Sequence, residues 1–354
     1  MNLERLSAEA YQANDSIATF SFSNHLPFLS DARTQSLRGR TRILMHPNSE
    51  SRLHEMFVLY GSDTFIRANK HIGRDESVYL LSGTCDVILF SDSGTIEDVV
   101  RLDADSQNSH SFILLPANKY HSVIIRSSQA LLFESTPGPF DASITVYAEW
   151  SPIETDKSGQ LEFFESVDKF VSERNITQLN SNIESNLVRE SEKVFRLLGK
   201  TIIGASTISI LTETLKSESL DRVRVCIHDD DRSELQEMFM VFSKDTFVTP
   251  SFHSDKDESL FVIDGLATYV FFDESGKVIK RVPLGPKNNS FDRASYCRIP
   301  LGAIHALVVE SDFVVVKETT SGPFQKSLTY FPDWAPKDPP PDDVKRFNFE
   351  YIGA

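Results

Sequence analysis

Residues 71–83 read HIGRDESVYLLSG, and residues 253–265 read HSDKDESLFVIDG. Both segments have a histidine, a glutamate five residues later, and a glycine seven residues after the glutamate. The likeness extends outward, because residues 40–95 align with residues 222–277 without a gap and 19 of these 56 positions are identical. A repeat of this length indicates two copies of a whole domain rather than a solenoid of short units.

The repeat resumes further along after a slip of two residues. It pairs Pro116 with Pro300, His121 with His305, Glu134 with Glu318, Gly138-Pro139-Phe140 with Gly322-Pro323-Phe324, and Trp150 with Trp334. The 354 residues are the length of about two ordinary domains. We therefore predict an N-terminal domain with a short N-terminal helix (1–152), a helical linker or lead-in (153–216), a C-terminal domain (217–336) and an irregular tail (337–354).

Short runs of β-forming residues recur in both copies. Residues 77–81 and 85–90 flank a Ser-Gly turn, and residues 260–263 and 268–272 flank an Asp-Gly turn, as in β-hairpins. Further runs lie at 112–115, 122–125 and 130–133. Many short strands at this spacing predict a barrel or a sandwich. Helices are predicted at residues 3–14 and at about 161–198, where Phe164, Val167, Phe170 and Val171 have helical spacing.

The composition excludes several classes of protein. With 40% hydrophobic residues the chain is not disordered in bulk, and 36 basic against 51 acidic residues give a net charge of −15, which argues against a nucleic-acid partner. No apolar run reaches 18 residues, and the N-terminus does not resemble a secretory signal, so we expect no membrane partner. Cys85, Cys226 and Cys297 form no CxxC motif, which favours a reduced, cytoplasmic protein.

Each copy contains the residues of a metal site. Two histidines and one glutamate, the ligands of a facial triad, recur as His71, Glu76 and His121 and as His253, Glu258 and His305. Strand alternation places Asn69 on the same face as His71, and Ser251 on the same face as His253.

At these residues the sequence resembles the cupin superfamily. The first cupin motif, with a histidine, four residues, a glutamate, six residues and a glycine, is met by both segments quoted above. The second motif, Pro-x-Gly-x-x-His, is met by Pro300, Gly302 and His305. In copy one Asn118 takes the place of Gly302, and asparagine is the next-best residue where a turn needs a positive φ. The resemblance implies an all-β chain of two tandem cupin (double-stranded β-helix, jelly-roll) barrels with a few peripheral helices, the lobes facing each other by pseudo-twofold packing.

Three further features are similar to the WbuC family of cupin-fold metalloproteins. They are the Arg40-x-Arg42 strand that leads to His46, the Gly-Pro-Phe endings, and the closing segment Phe331–Pro336. That family is found in surface-polysaccharide (O-antigen) gene clusters. The resemblance implies a metal-binding bicupin that acts on or binds a small polar molecule, such as a sugar or a nucleotide-sugar intermediate.

The resemblance also implies one divalent metal ion per domain, and Fe, Mn, Ni and Zn all fit the ligand set. The family has another histidine two positions before His71 and His253. Asn69 is a weak ligand in that place and Ser251 a poorer one, so we expect copy one to hold its metal more tightly than copy two. The alternative is an inherited but emptied site, in which the histidines only form hydrogen bonds with Glu76 and Glu258.

Other polar residues are candidates for ligand binding. They are Arg40, Arg42, His46, Arg67 and Tyr120 in copy one, and Arg222, Arg224 and His228 in copy two. The arginines would bind a phosphate or a carboxylate, or would lie on a solvated edge strand. Because Thr249 replaces Arg67 in copy two, the two pockets are expected to bind a ligand unequally.

Three functions remain open from the sequence. The first is a metal-dependent enzyme of the isomerase or epimerase type on a small polar molecule, although no residue stands out as its catalytic base. The second is an Fe(II)-dependent dioxygenase, and the third is a non-catalytic ligand-binding or sensing bicupin with degenerate metal sites. A homodimer is also left open.

Overall fold

The structure, a computed structural model, describes residues 1–106, 109–174, 186–199, 201–289, 293–337 and 339–353. The fold is mainly β and consists of two similar lobes with peripheral helices. Within the described ranges, each helix is too short or too polar to cross a lipid bilayer.

The N-terminal lobe is built from residues 3–147. Its strands are β1 (Leu3–Arg5), β2 (Ala10–Ala13), β3 (Thr19–Phe20), β4 (Arg40–Leu44), β5 (Leu53–Gly61), β6 (Asn69–His71), β7 (Glu76–Ser82), β8 (Thr84–Phe90), β9 (Ile96–Asp103), β10 (His110–Leu115), β11 (Tyr120–Ile125), β12 (Gln129–Pro137) and β13 (Thr145–Tyr147). Helix α1 (Phe22–Arg33) precedes β4, and a 3-10 turn at Ala142–Ile144 precedes β13.

The C-terminal lobe follows helix α2 (Lys157–Glu173). Its elements are β14 (Leu187–Arg189), β15 (Val194–Leu197), β16 (Ile202–Gly204), α3 (Ala205–Ser217), β17 (Arg222–Cys226), β18 (Leu235–Ser243), β19 (Phe252–His253), β20 (Glu258–Asp264), β21 (Ala267–Phe272), β22 (Val278–Leu284), β23 (Tyr296–Ile299), β24 (Ile304–Val309), β25 (Phe313–Ser321), a 3-10 turn at Lys326–Leu328, β26 (Thr329–Tyr330) and α4 (Pro341–Ile352).

Each lobe is a barrel of two layers. In the N-terminal lobe β4, β5, β12, β7 and β10 form one layer, and β9, β8, β11, β6 and β13 form the other. Alternation along β12 separates two environments, because Leu132 faces the barrel interior whereas Leu131 and Phe133 face the other lobe. The C-terminal lobe repeats this plan with β17, β18, β25, β20 and β23 opposite β22, β21 and β24. The predicted all-β fold of two tandem barrels is confirmed.

The lobes pack through a shared aromatic core. Phe57 and Phe133 of the N-terminal lobe contact Tyr296 of the C-terminal lobe, with ring centroids 5.4 and 5.3 Å apart. Tyr79 similarly contacts Phe239 and Phe261. Burial of this aromatic surface stabilises the association of the lobes.

The two lobes also exchange a strand. β3 precedes the N-terminal barrel but pairs with β23 of the C-terminal lobe, and β16 precedes the C-terminal barrel but pairs with β10 of the N-terminal lobe. The elements β1 to α1 and β14 to α3 follow the same order, so the structural repeat begins earlier than the aligned sequence. Residues 187–217 therefore belong to the second repeat rather than to a simple linker.

Two buried carboxylates lie where the lobes meet, at equivalent positions. Glu55 accepts hydrogen bonds from Ser259 Oγ at 2.5 Å and from Tyr296 OH at 2.6 Å, and Arg298 lies 3.2 Å away. Glu237 instead pairs with Lys317, whose Nζ is 2.5 Å from Oε1. The compensating cation comes from β23 in one case and from β25 in the other, so the pseudo-twofold relation of the lobes is broken at this point.

The prediction of a helix at residues 3–14 is wrong. The segment forms β1 and β2, and the helix of this region is α1, at Phe22–Arg33. Parallel pairing of β2 with β4 buries Ala10 and Ala13 in the extended conformation. This tertiary pairing overrides the helical tendency of the local sequence.

The prediction of a helix at 161–198 is partly right. α2 contains Phe164, Val167, Phe170 and Val171, but residues 187–197 form β14 and β15, where Phe195 and Leu197 are buried with a period of two. Residues 175–185 lie outside the described ones. The tail predicted to be irregular contains α4, which packs Tyr351 on Phe272 at a centroid distance of 5.0 Å.

Candidate metal centre

The N-terminal barrel brings three predicted ligands together at one end of its interior. Glu76 begins β7, His71 ends β6 and His121 lies on β11. The Nε2 atoms of both histidines are 3.2 Å from Glu76 Oε2. One ligand atom from each residue lies within 4.8 Å of the others, a spacing suited to a single metal ion.

Hydrogen bonds outside the centre orient both rings. His121 Nδ1 lies 3.0 Å from the carbonyl oxygen of Lys119, and His71 Nδ1 lies 3.1 Å from Thr145 Oγ1. A carbonyl oxygen only accepts, so Nδ1 of His121 carries a proton and the lone pair of a neutral ring is at Nε2, facing Glu76. This is the tautomer that a metal ligand needs, and the donor set therefore fits a divalent cation.

Without a metal ion, the histidines and the carboxylate stabilise each other's charges. Burial disfavours the charged form of His71, but the hydrogen bond and the charge of Glu76 outweigh it and raise the pKa of His71. Burial likewise opposes ionisation of Glu76, but the hydrogen bonds of His121 and His71 hold the pKa of this carboxyl well below its usual range. Glu76 is therefore ionised at neutral pH, as a metal ligand requires.

The C-terminal barrel repeats the arrangement with differences. His253 Nε2 is 3.1 Å from Glu258 Oε2, and His305 Nε2 is 3.6 Å from Glu258 Oε1. His305 Nδ1 donates to the carbonyl oxygen of Ala303 at 2.9 Å. One ligand atom from each of His253, Glu258 and His305 lies within 4.8 Å of the others, a spacing that also suits a single cation. Lys256 Nζ lies 3.7 Å from Oε2 of Glu258.

The predicted weak ligands lie next to the histidines. Asn69 is directly opposite His121 in the β6–β11 pair, and Ser251 is directly opposite His305, so each shares a face with its partner. Asn69 Nδ2 donates to the carbonyl oxygen of Arg67 at 3.1 Å. Their role as ligands stays a prediction.

The turn before the second histidine has the conformation that the sequence predicts. Asn118 has a φ of 65° and Gly302 a φ of 75°. Asparagine thus takes the left-handed conformation in copy one that glycine takes in copy two. Its side chain also accepts a hydrogen bond from the backbone nitrogen of Gly73 at 3.1 Å, which ties the turn to the segment after His71.

Sequence reasoning missed a second carboxylate in each barrel. Glu134 on β12 lies on the inward face with Ala130 and Leu132, and Tyr60 donates a hydrogen bond to its Oε1 at 3.0 Å. Burial and the charge of Glu76 raise the pKa of Glu134 to about 7. Glu318 is its counterpart, and burial and the charge of Glu258 raise its pKa to about 7. The sequence signal that could have identified Glu134 is the strand alternation of residues 130, 132 and 134, which places all three on the same face.

The predicted arginines lie beside the barrels on β4 and β17. Arg40 and Arg42 pair with Tyr60 and Val58, so they are on the same sheet face as the interior of the N-terminal barrel. Their charges oppose the rise in the pKa of Glu134, so their field reaches that carboxylate. Arg222 and Arg224 occupy the equivalent positions in copy two and are exposed. Ligand binding by these four residues stays a prediction.

The structure does not bring His46 and His228 into the metal centres. Both are buried, and their Nδ1 atoms lie 3.1 and 3.0 Å from the carbonyl oxygens of Glu55 and Glu237, near the lobe interface. Burial lowers the pKa of His46 to about 3 and that of His228 to about 4. Their backbone contacts indicate a structural role.

Arg67 and Tyr120 also lie apart from the ligands. Arg67 donates to the carbonyl oxygen of Ala148 at 2.8 Å, and its guanidinium lies over the ring of Tyr147. Tyr120 precedes His121 on β11, so it faces outward, where it packs on Trp150 at a centroid distance of 5.8 Å. Tyr120 thus faces away from the candidate ligands, and ligand binding by Arg67 and Tyr120 stays a prediction.

Comparisons with known proteins add to this geometry. A family model described as a domain of unknown function (DUF6016) matches residues 23–102 and 203–284, that is, each lobe once. No curated protein matches the chain. A crystal structure of salicylate 1,2-dioxygenase from Pseudoaminobacter salicylatoxidans is 11% identical, with a TM-score of 0.58 over 89% of this chain and 86% of that one.

A second structure of that dioxygenase, in complex with gentisate, has a TM-score of 0.59 and 12% identity over 89% of this chain and 84% of that one. The chain has a bicupin fold. A mutant of Bacillus subtilis oxalate decarboxylase is 11% identical, with a TM-score of 0.45 over 89% of this chain and 79% of that one. Each barrel of this fold contains one of the two candidate metal centres.

Proposed function

We propose that this bicupin is a metal-dependent enzyme whose N-terminal lobe transfers a proton to and from a small polar molecule. The observation that carries the proposal is the position of Glu134, a carboxylate on the inward face of the barrel that also holds His71, Glu76 and His121. Glu134 is the proton acceptor that sequence reasoning did not identify. Its side chain is free of the role of metal ligand and is held by Tyr60.

Tyr60 leaves one oxygen of Glu134 for the substrate. The phenol donates to Oε1, so Oε2 can accept a proton from the substrate and return it. A pKa near 7 populates both protonation states at neutral pH, which suits a group that both accepts and donates. The apolar residues Val58 and Leu132 lie in the same barrel interior and lower the polarity around this partly buried carboxylate.

His71, Glu76 and His121 would hold the divalent cation. When bound, such a cation acts as a Lewis acid that polarises a carbonyl or hydroxyl oxygen of the substrate. The outer hydrogen bonds of His71 and His121 fix the ring orientations for this purpose. Asn69 lies beside them as a weak ligand or a substrate contact.

The proposed substrate is a hydroxylated molecule with an anionic group. Arg40 and Arg42 lie on the barrel side of β4 and would bind a phosphate or a carboxylate. Sugar phosphates and nucleotide sugars have this chemistry. A place in surface-polysaccharide synthesis is supported by the resemblance to the WbuC family.

The test is exchange of substrate hydrogen with solvent. Metal-loaded protein is incubated in D₂O with a panel of sugar phosphates and nucleotide sugars, and deuterium incorporation is followed by NMR. Glu134→Gln should abolish exchange, while the matched variant Glu318→Gln in the other lobe should retain it. Exchange that is undiminished in Glu134→Gln would overturn the role of Glu134.

A second candidate is an Fe(II)-dependent dioxygenase. The similar structures are of a salicylate 1,2-dioxygenase, one of them in complex with gentisate, and a facial triad leaves coordination positions open. This candidate predicts oxygen consumption by the iron-loaded protein with hydroxylated aromatic acids. Ligand binding without either activity would instead indicate a non-catalytic binding protein.

A further inference from the structure

The two metal centres differ in the cation that precedes their glutamate. Arg74 lies two residues before Glu76, and Lys256 lies two residues before Glu258. Arg74 Nη1 donates to the carbonyl oxygens of Pro137 and Pro139, at 3.1 and 2.5 Å, and is thereby held by the backbone after β12. Lys256 has its ammonium 3.7 Å from Oε2 of Glu258.

Lys256 thus competes for the oxygen that a metal ion would use. Glu258 Oε2 lies 3.1 Å from Nε2 of the ligand His253, and the ammonium of Lys256 is a cation close to the same oxygen but beyond hydrogen-bond distance. The side chain of Lys256 is 16% exposed and that of Glu258 is 8% exposed, so water screens this pair only weakly. A positive charge here repels a divalent cation and partly neutralises its carboxylate ligand.

Aromatic residues add to the difference between the lobes. The ring centroid of Tyr269 is 5.8 Å from that of His305, and the centroid of Phe271 is 6.4 Å from it. The aligned residues beside His121 are Val87 and Leu89. The C-terminal barrel therefore has larger side chains next to its second histidine.

We propose that the ammonium group of Lys256 takes the place of a metal ion in the C-terminal centre. The chain therefore binds one divalent metal ion tightly, in the N-terminal lobe. The C-terminal centre binds a divalent metal ion at least tenfold more weakly. This inference depends on the proposed function only in its assumption that the N-terminal centre binds a metal ion. What it adds is that removing one ammonium group restores the second site, because the ligands His253, Glu258 and His305 are already in place.

The experiment counts Mn²⁺ ions after equilibrium dialysis of the full chain, using elemental analysis by mass spectrometry. Wild type should hold about one ion per chain, and Lys256→Met, which keeps most of the side-chain stem, should hold about two. Lys244→Met, at an exposed lysine of the same lobe, should behave as wild type. A Lys256→Met protein with the metal content of wild type would overturn the inference.

The same substitution in a His71→Ala background isolates the C-terminal centre. His71→Ala should bind no ion tightly, and His71→Ala with Lys256→Met should bind about one and gain thermal stability on Mn²⁺ addition. If wild type binds no ion while Lys256→Met binds one, the inference stands and the proposed function of the N-terminal lobe falls. The inference is wrong if the double variant binds no ion and Lys256→Met alone binds no more ions than wild type.

Discussion

Tyr60 donates a hydrogen bond to Glu134 across 3.0 Å inside the N-terminal barrel, and the residue at the equivalent position of the C-terminal barrel is Phe242. The two barrels therefore hold equivalent, partly buried carboxylates, of which the one in the N-terminal lobe has a phenol donor on its β5 side. This difference and that between Arg74 and Lys256 are the basis on which we propose different chemistry for the two lobes.

Replacing Tyr60 by phenylalanine should shift the pH dependence of proton exchange. The hydrogen bond of Tyr60 favours the carboxylate form of Glu134, so its loss raises the pKa of Glu134 and leaves less of the proton acceptor at a given pH. The acid limb of the pH–rate profile should move upward by about 0.7 pH unit, since a hydrogen bond is worth about 1 kcal/mol. Phe242→Leu, at the equivalent position of the other lobe, is the control and should leave the acid limb in place. An unmoved acid limb in Tyr60→Phe would contradict the assignment.

His46 should make the protein less stable as the pH falls. Its folded-state pKa of about 3 lies below the ordinary value of 6.5, so between these values the unfolded chain binds the proton and the folded one does not. Stability due to this residue is complete above pH 6.5 and decreases towards pH 3. The loss between pH 6.5 and pH 5 is about 2 kcal/mol.

Urea unfolding of metal-free protein at both pH values measures this loss. In His46→Gln the difference between the two pH values should shrink, even though the variant is less stable at each of them. His228→Gln, at the equivalent position, should also have a weaker pH dependence. An equal loss in wild type and both variants would show that other groups govern the acid sensitivity.

The lobe interface should depend on Arg298. This side chain lies 3.2 Å from Glu55 and 3.1 Å from Asp257, and it donates to the carbonyl oxygen of Leu53. Arg298→Met leaves Glu55 buried without its cation and should lower the free energy of unfolding by about 3 kcal/mol. Adding Glu55→Gln should recover part of the loss, because the uncompensated charge is then absent.

The exposed pair of Arg189 and Glu218 provides the comparison for this experiment. Arg189→Met should leave the urea midpoint nearly unchanged, since water screens both groups. A similar small effect for Arg298→Met would mean that the aromatic core alone holds the lobes together.

The sequence predicted the candidate ligands that the fold brings together, because their spacing is repeated in both copies. His71, Glu76 and His121 recur as His253, Glu258 and His305 at matched intervals, and the strand signals between them place the residues on inward faces. The positive φ at Asn118 was also predictable, because the aligned residue Gly302 marks a turn that needs it. Features that a short segment determines are the ones that a single sequence can reveal.

The features that the sequence did not predict depend on distant partners. β2 becomes a strand because it pairs with β4, and β16 becomes one because β10 of the other lobe accepts it. Glu134 was visible as one of the repeated residues, but its proximity to Glu76 depends on how β12 and β7 pair in the folded barrel. Similarly, the position of Lys256 against Glu258 depends on a side-chain direction that spacing does not specify.

Metal analysis of the purified full chain and two single variants tests the central claim most directly. Wild-type protein, His121→Ala and His305→Ala are reconstituted with a divalent metal, dialysed and measured by mass spectrometry. We predict about one ion per chain in wild type and in His305→Ala, and its loss in His121→Ala. Equal metal content in the two variants, or none in wild type after reconstitution, would contradict a metal centre in the N-terminal lobe.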